Sequence, residues 1–391
     1  MMRPSFALPL VLTAFSPLAA LRSQLPDTSV RVAVGFGVDT LGASHEIFVL
    51  WRSYLSSGPT CSQPSPLWAS GERAQWPVVD LLCGYVYQGF SRFTVVHLAP
   101  AVGLDSTYVI RTLVAKVSDS GRDVQPLALY RVYATRERGR WVLANALPRL
   151  TSEWSHETIG RIRFVFPKTH RFVRARAAAT SAFVDSLAAA FEMAPPPTIG
   201  YYFTDDLMQT LSAAGLEFFP LGADTVGGRS MDIDRLVFIG SSSHGEEYRH
   251  ELAHVVLGPF LAPFNAAGLV REGLMTWTGG SAGLTFPELM PGLKGYLDAH
   301  PDVTLENILT DPPARTGTLD VGYDGIAVLC RMVYDAGGLP AIRELASAGR
   351  EPPAVVGAAA RLLKVSESQL DTLWRRRVAD LARQPQLSAP R

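Results

Sequence analysis

The chain is short of charge, short of cysteine, and lacks any long uninterrupted apolar run beyond its first twenty residues. Of its 391 residues 18% are charged, with Lys+Arg and Asp+Glu equal at 36 each, so the net charge is zero. Phosphate binding calls for a basic excess, and this balance speaks against nucleic acid as a partner. The one basic cluster, Arg375 to Arg377 in WRRRV, reads as the solvated face of a last helix. No glycine-rich loop leads into a helix with a lysine, so no nucleotide cradle is expected. Only three cysteines occur, none at metal-site spacing. Cys61 and Cys83 lie in one region and could form a disulfide, whereas Cys330 sits in an apolar helical pattern and reads as a buried free thiol. The apolar stretch from Leu252 to Val270 is broken by Pro259 and Pro263, so no membrane span is expected after the N-terminus. Internal repeats and low-complexity segments are missing as well.

What is present is a large apolar share, 47%, enough to fill the cores of two or three domains. The first residues, MMRPSFALPLVLTAFSPLAALRSQ, combine Arg3, an apolar stretch from Phe6 to about Ala20, and small residues at Ala19 and Ala20. That is the pattern of a secretory signal peptide, residues 1–23, with a mature start near residue 21–24 and an exported, periplasmic or extracellular location. A membrane anchor is the other reading; Pro9 and Pro17 and the short run favour cleavage.

Two regions follow, and together they predict an α+β fold. Residues 28–150 open with a helical pattern in which Ile47, Leu50, Trp51 and Leu55 share a face. Strand-like runs follow: FTVVHLAP, TYVIRTLVAKV, PLALYRVYATRER and GRWVLANAL, separated by turn signals. A helix and then a meander resembles the cone-shaped, curved-sheet domains of the cystatin and nuclear-transport-factor-two-like type. Residues 160–391 read differently. IRFVFP, PPPTIGYYFTD and DRLVFIG predict strands of a mixed sheet, FVRARAAATSAFVDSLAAAFEM a long helix, and the last third is helical.

The chemistry concentrates in EYRHELAHVVLGPF, Glu247 to Phe260. Ser243 with Glu246 predicts a capping box, and Gly258-Pro259 predicts the helix end. On a helix, His250 and His254 point the same way one turn apart and can offer two imidazole nitrogens to one ion. Glu251 projects beside them. This is the H-E-x-x-H arrangement of zinc hydrolases, with the glutamate as general base on water. Chance would give it in roughly 1 in 100 chains of this composition and size, so satisfied core histidines are the weaker reading.

Catalytic zinc takes three protein ligands. GLVREGLMTWTGG supplies Glu272, eighteen residues after His254, in a pattern that predicts a buried helix. A carboxylate in apolar company needs a partner, which a metal ion, Arg271 or a helix N-terminus could provide.

YRHELAHVVL together with LVREGLMTW resembles the gluzincins, the thermolysin-like and aminopeptidase-like zinc peptidases of the broad peptidase MA-like set. The resemblance covers residues 160–390. It implies one Zn2+ held by His250, His254 and Glu272, Glu251 as base, and a peptide or protein substrate. No Gly-Ala-Met-Glu-Asn exopeptidase motif precedes the helix, and the spacing from His254 to Glu272 is slightly short for the group. Such peptidases place a tyrosine or histidine oxyanion donor downstream, and Tyr323 is the candidate, with packing at a helix start as its alternative.

Other residues weigh less. Asp320 and Asp324 could orient a ligand histidine but read better as helix caps. His156 to Gly160 reads as surface linker. His170 and His244 have no partner at ligand spacing, though His244 could shape a cleft entrance. WTGGSAG, Trp277 to Gly283, reads as a flexible turn near the site. Strand Arg235–Gly240 is the expected edge for an extended substrate. Besides a peptidase, a scaffold that keeps the fold without catalysis, and a zinc hydrolase of another amide or ester, fit the same residues.

Overall fold

The computed structural model describes residues 30–33, 42–57, 64–80, 91–104, 106–118, 122–219 and 226–383. The expected signal peptide and both Cys61 and Cys83 lie outside them. The fold is α+β, with two mixed sheets.

The first sheet is built from runs in which β-branched and aromatic residues alternate between faces. It comprises β1 (Val30–Val32), β2 (Ser91–Pro100), β3 (Thr107–Val117), β4 (Val124–Glu137) and β5 (Arg140–Asn145) in that order, β1 parallel to β2 and the rest antiparallel. Register shifts between Val95 and His97 and between Val114 and Ala115 bend the long strands. Helix α1 (Ala43–Ser56) lays Ile47, Trp51, Tyr54 and Leu55 on this sheet, and Trp51 Nε1 donates to Thr112 Oγ1 at 2.9 Å. Helices α2 (Ser70–Gln75) and α3 (Leu147–Leu150) flank it.

The second sheet has the order β10-β11-β8-β7-β6. Here β7 (Ile162–Phe166), β8 (Ile199–Thr204) and β11 (Leu236–Gly240) are parallel, while β6 (Ser155–Ile159) and β10 (Gly227–Met231) run antiparallel at the two edges. Helices α4 (Arg174–Ala190) and α5 (Leu207–Ala213) belong to this part of the chain. The parallel strands are near-continuous apolar runs because both faces are covered. One face, with Ile162, Phe164, Tyr201, Phe203, Val237 and Ile239, meets the helices. The other, with Val165, Tyr202, Leu236 and Phe238, shares a core with the first sheet. A short strand, β9 (Leu216–Phe218), leaves this second part of the chain to pair with β4.

The remaining helices are α6 (Arg249–Leu261), α7 (Gly268–Gly279), α8 (Phe286–Ala299), α9 (Leu305–Thr310), α10 (Val321–Ser347), α11 (Pro352–Leu363) and α12 (Glu367–Arg383). By length and composition α10 could cross a membrane, but it is mostly buried inside the protein and Gly338, at φ 63°, breaks it into two segments. It is a core helix, and Cys330 is buried within it as a free thiol.

Four expectations need correction. His156 to Gly160 is not a linker: Ser155–Ile159 forms edge strand β6. The strand expected as a substrate edge, β11, is buried throughout and paired on both sides, and the edge belongs to β10. Helix α6 does not start from a Ser243–Glu246 box, nor does it end at Gly258-Pro259. It starts at Arg249 after a 3-10 turn, Gly245–Glu247, and runs through Pro259 to Leu261. Finally, Arg375 is no solvated arginine. Its guanidinium donates to the carbonyls of Leu297, His300 and Val303 and ties α12 to the end of α8, while Arg377 pairs with Asp335.

Candidate metal centre

The lead-in to α6 is fixed by buried polar bonds rather than by a cap. Glu246 is almost fully buried and accepts from the Val173 backbone N–H at 2.7 Å, with His170 Nε2 2.8 Å from the same oxygen. Tyr201 Oη donates to the Gly245 carbonyl and accepts from the Tyr248 N–H. Thr180 Oγ1 donates to the Glu246 carbonyl. His170 thus has a partner that the sequence did not suggest, and Glu246 spends its carboxylate on α4 instead of on a capping box. His244 packs on Gly283, and its Nδ1 lies 2.8 Å from Ser243 Oγ.

From this fixed start, α6 presents His250 and His254 to the same point, both buried, with ring centroids 5.1 Å apart. Helix α7 brings Glu272 to meet them. Its Oε2 stands 3.3 Å from His250 Nε2 and 3.3 Å from His254 Nε2. One ligand atom from each of the three lies within 4.8 Å of the others. Arg271, the competing partner for Glu272, faces Asp232 instead at 3.8 Å.

Two glycines permit this approach. Gly273 lets α7 close on α10, since a Cβ there would sit 2.6 Å from Ile326 Cγ2 and 2.7 Å from its backbone carbon. Gly280, at φ 78°, ends α7 in a conformation open to glycine, and its carbonyl accepts from His250 Nδ1 at 2.7 Å. That bond holds the His250 ring with Nδ1 on the carbonyl and turns Nε2 toward Glu272, the orientation a metal ligand needs. The WTGGSAG stretch is near the site as expected, but as a closed turn, with Ser281 and Leu284 exchanging backbone bonds.

The charges of the cluster are coupled. Burial alone would lower the His254 imidazole, but the hydrogen bond and charge of Glu272 outweigh it and push it up to about 9. Burial would likewise raise the Glu272 carboxyl, and the two imidazoles hold it well below the usual carboxylate range. A positive charge is therefore favoured where the three side chains converge. A metal dication meets the same demand. The spacing fits as well: ligand atoms about 2.0–2.1 Å from a tetrahedral zinc lie roughly 3.3 Å apart.

Glu251 is buried beside the cluster and packs against edge strand β10. A Cβ at Gly228 would sit 2.3 Å from Glu251 Cγ, so the glycine makes room for the carboxylate. Tyr323, in the first turn of α10, stacks on the His250 ring at 6.0 Å and 7°. Burial, then the charges of Glu272, Asp320 and Glu251, push its phenol well up, so the hydroxyl keeps its proton and can donate. Asp320 caps α10, accepting from the Tyr323 N–H, and Asp324 accepts from the Asp320 N–H. Asp320 is thus the cap favoured from sequence, and Asp324 is a buried residue of the first turn that bonds back to it.

A cleft of about 750 Å³ opens over these groups and runs along β10. His250, Glu251, His254, Glu272 and Tyr323 all line it, together with Tyr248 and Arg229, which no sequence pattern singled out. The adjacent glycines at 227 and 228, just ahead of the motif strand, were the available signal for β10. No protein-family model matches the chain, and no curated protein matches it.

Proposed function

We propose that this protein is an exported zinc-dependent peptidase that hydrolyses peptide bonds with Glu251 as general base. The observation that carries the reading is the convergence of three ligand atoms within 4.8 Å of one another, with Glu272 Oε2 3.3 Å from both His250 Nε2 and His254 Nε2, at the wall of an open cleft with a buried carboxylate beside it. His250, His254 and Glu272 would hold the ion. Bound zinc supplies Lewis acidity, which makes a water acidic near neutral pH and polarises a carbonyl.

The protein's own groups then divide the work. Glu251 accepts a proton from the attacking water and delivers it to the leaving amine. Tyr323 donates a hydrogen bond toward the oxygen on which negative charge develops. The Gly280 carbonyl keeps His250 in the ligating orientation. The free side of β10, unpaired among the described residues, offers backbone groups to an extended chain, so a substrate binds by adding a strand.

The test is hydrolysis of unfolded β-casein by zinc-loaded protein, beside Glu251→Gln. Wild type is expected to cleave and to stop on chelation. The variant should keep its zinc and lose about 10²–10⁴-fold in rate, the usual contribution of a positioned acid–base. Full activity in Glu251→Gln would remove the assigned base. No cleavage by a zinc-loaded wild type would remove the peptidase reading.

A further inference from the structure

The far wall of the cleft is made by the first region of the chain. Val78 and Asp80 line the cleft opposite the helices, although both precede the second sheet by more than 70 residues. The segment from Trp76 to Asp80 is held at three points. Val78 N donates to Asp234 Oδ1 at 2.7 Å, in the turn between β10 and β11. The Val79 carbonyl accepts from Asn145 Nδ2 at 2.6 Å. The Asp80 carboxylate accepts from Tyr54 Oη at 2.6 Å and Tyr130 Oη at 3.0 Å. Between these anchors Val79, a β-branched residue, is fixed at φ 66°. Such a conformation is strained and persists only where its surroundings over-determine it, commonly at functional sites.

The segment meets an apolar lip. Met231 ends the edge strand, and Ile233, in the turn beyond it, is 54% exposed and lines the same cleft. Ile233 is thus an exposed apolar side chain in a cleft that also carries Asp80, Asp232 and Asp234 and the arginines Arg229, Arg271 and Arg315. Asp80 is held by the two tyrosines and Asp234 by Val78, while Asp232 faces Arg271 at 3.8 Å through one oxygen.

We propose that Val78, Met231 and Ile233 form a side-chain subsite, so that the first region of the chain takes part in substrate selection. It takes a bulky apolar side chain of an extended peptide lying along β10 and disfavours an acidic one. This rests on the peptidase reading. The first region is then a part of the cleft, not a spacer, and the clamp on Asp234 keeps its wall at a fixed distance from the cleaving groups.

The experiment is mass-spectrometric mapping of cleavage sites in unfolded β-casein by wild type, Ile233→Ser and Val78→Ala, all zinc-loaded. Wild type is expected to favour Leu, Ile, Met or Phe at one fixed position relative to the cleaved bond, and to avoid Asp and Glu there. Ile233→Ser is an exposed change that should not affect folding, and it should lower cleavage at large apolar residues about tenfold relative to cleavage at alanine. Val78→Ala should shift the preferred size upward. Cleavage with the same profile in all three proteins would overturn the subsite and leave the peptidase reading standing. Absence of cleavage by zinc-loaded wild type would overturn both.

Discussion

His250, Glu251 and His254 were legible as a group because a helix fixes the relation of residues four apart, whatever the rest of the chain does. Glu272 was legible as a carboxylate in apolar surroundings, and as a third ligand only through the resemblance to the gluzincins; its meeting with both imidazoles depends on α7 crossing α6, which no local pattern encodes. Asp324 illustrates the opposite case. The sequence left it as a cap, and the structure makes it a fully buried carboxyl with one oxygen, Oδ1, lacking a partner. Burial raises it to about 8, against an unfolded value of about 3.9. The folded chain therefore binds this proton more tightly than the unfolded chain. Its contribution to stability is full below about pH 4 and is lost as pH rises through about 8. Asp324→Asn keeps the acceptor for the Asp320 N–H and removes the titration. Melting temperatures from pH 4 to 8 should fall less steeply in the variant than in wild type, and parallel profiles would refute the buried-carboxyl account.

At the scale of elements, two of the strands that sequence missed, β10 and β6, are largely polar or glycine-rich. β10 is GGRSM, lacking β-branched or aromatic residues, and it is a strand because β11 pairs with it along its whole length. β6, SHETI, is short and polar because it is an outer edge. Helix α6 outran its Gly-Pro signal because Pro259 stands three residues from the helix end, where the loss of one backbone donor is cheap next to burying Phe260 and Leu261. Glycine is equally decisive where helices cross. Gly273→Ala would gain up to about 1 kcal/mol of helix propensity. It would also force a Cβ to 2.7 Å from the α10 backbone, which side-chain rotation cannot relieve. Overpacking of this kind costs about 1–3 kcal/mol, so the net change should be destabilising. Denaturant unfolding of Gly273→Ala should show a lower midpoint; an unchanged or higher midpoint would mean that α7 and α10 have room to part.

At the scale of the molecule, the sequence changes pattern near residues 150–160, but nothing in that pattern showed how the two sheets join. Tyr202, Leu236 and Phe238 looked like ordinary buried-strand residues, and only the fold assigns them to a core shared with the first sheet. Strand β9 crosses the same boundary to pair with β4. A chain beginning at residue 152 would expose that apolar face. It should bind a hydrophobic dye and aggregate, whereas the chain containing both regions should not; a monomeric, dye-silent fragment would show that the regions fold apart. The central claim is that the two helices and the turn after them build a metal centre facing the cleft. Anomalous diffraction at the zinc edge, on crystals of wild type and of Glu272→Gln grown with one equivalent of zinc, addresses it most directly. The account requires one peak in wild type, about 2.0–2.1 Å from His250 Nε2 and His254 Nε2 and in contact with the Glu272 carboxylate, and a weakened or absent peak in the variant. No peak in wild type, or a peak of equal height in Glu272→Gln, would contradict it.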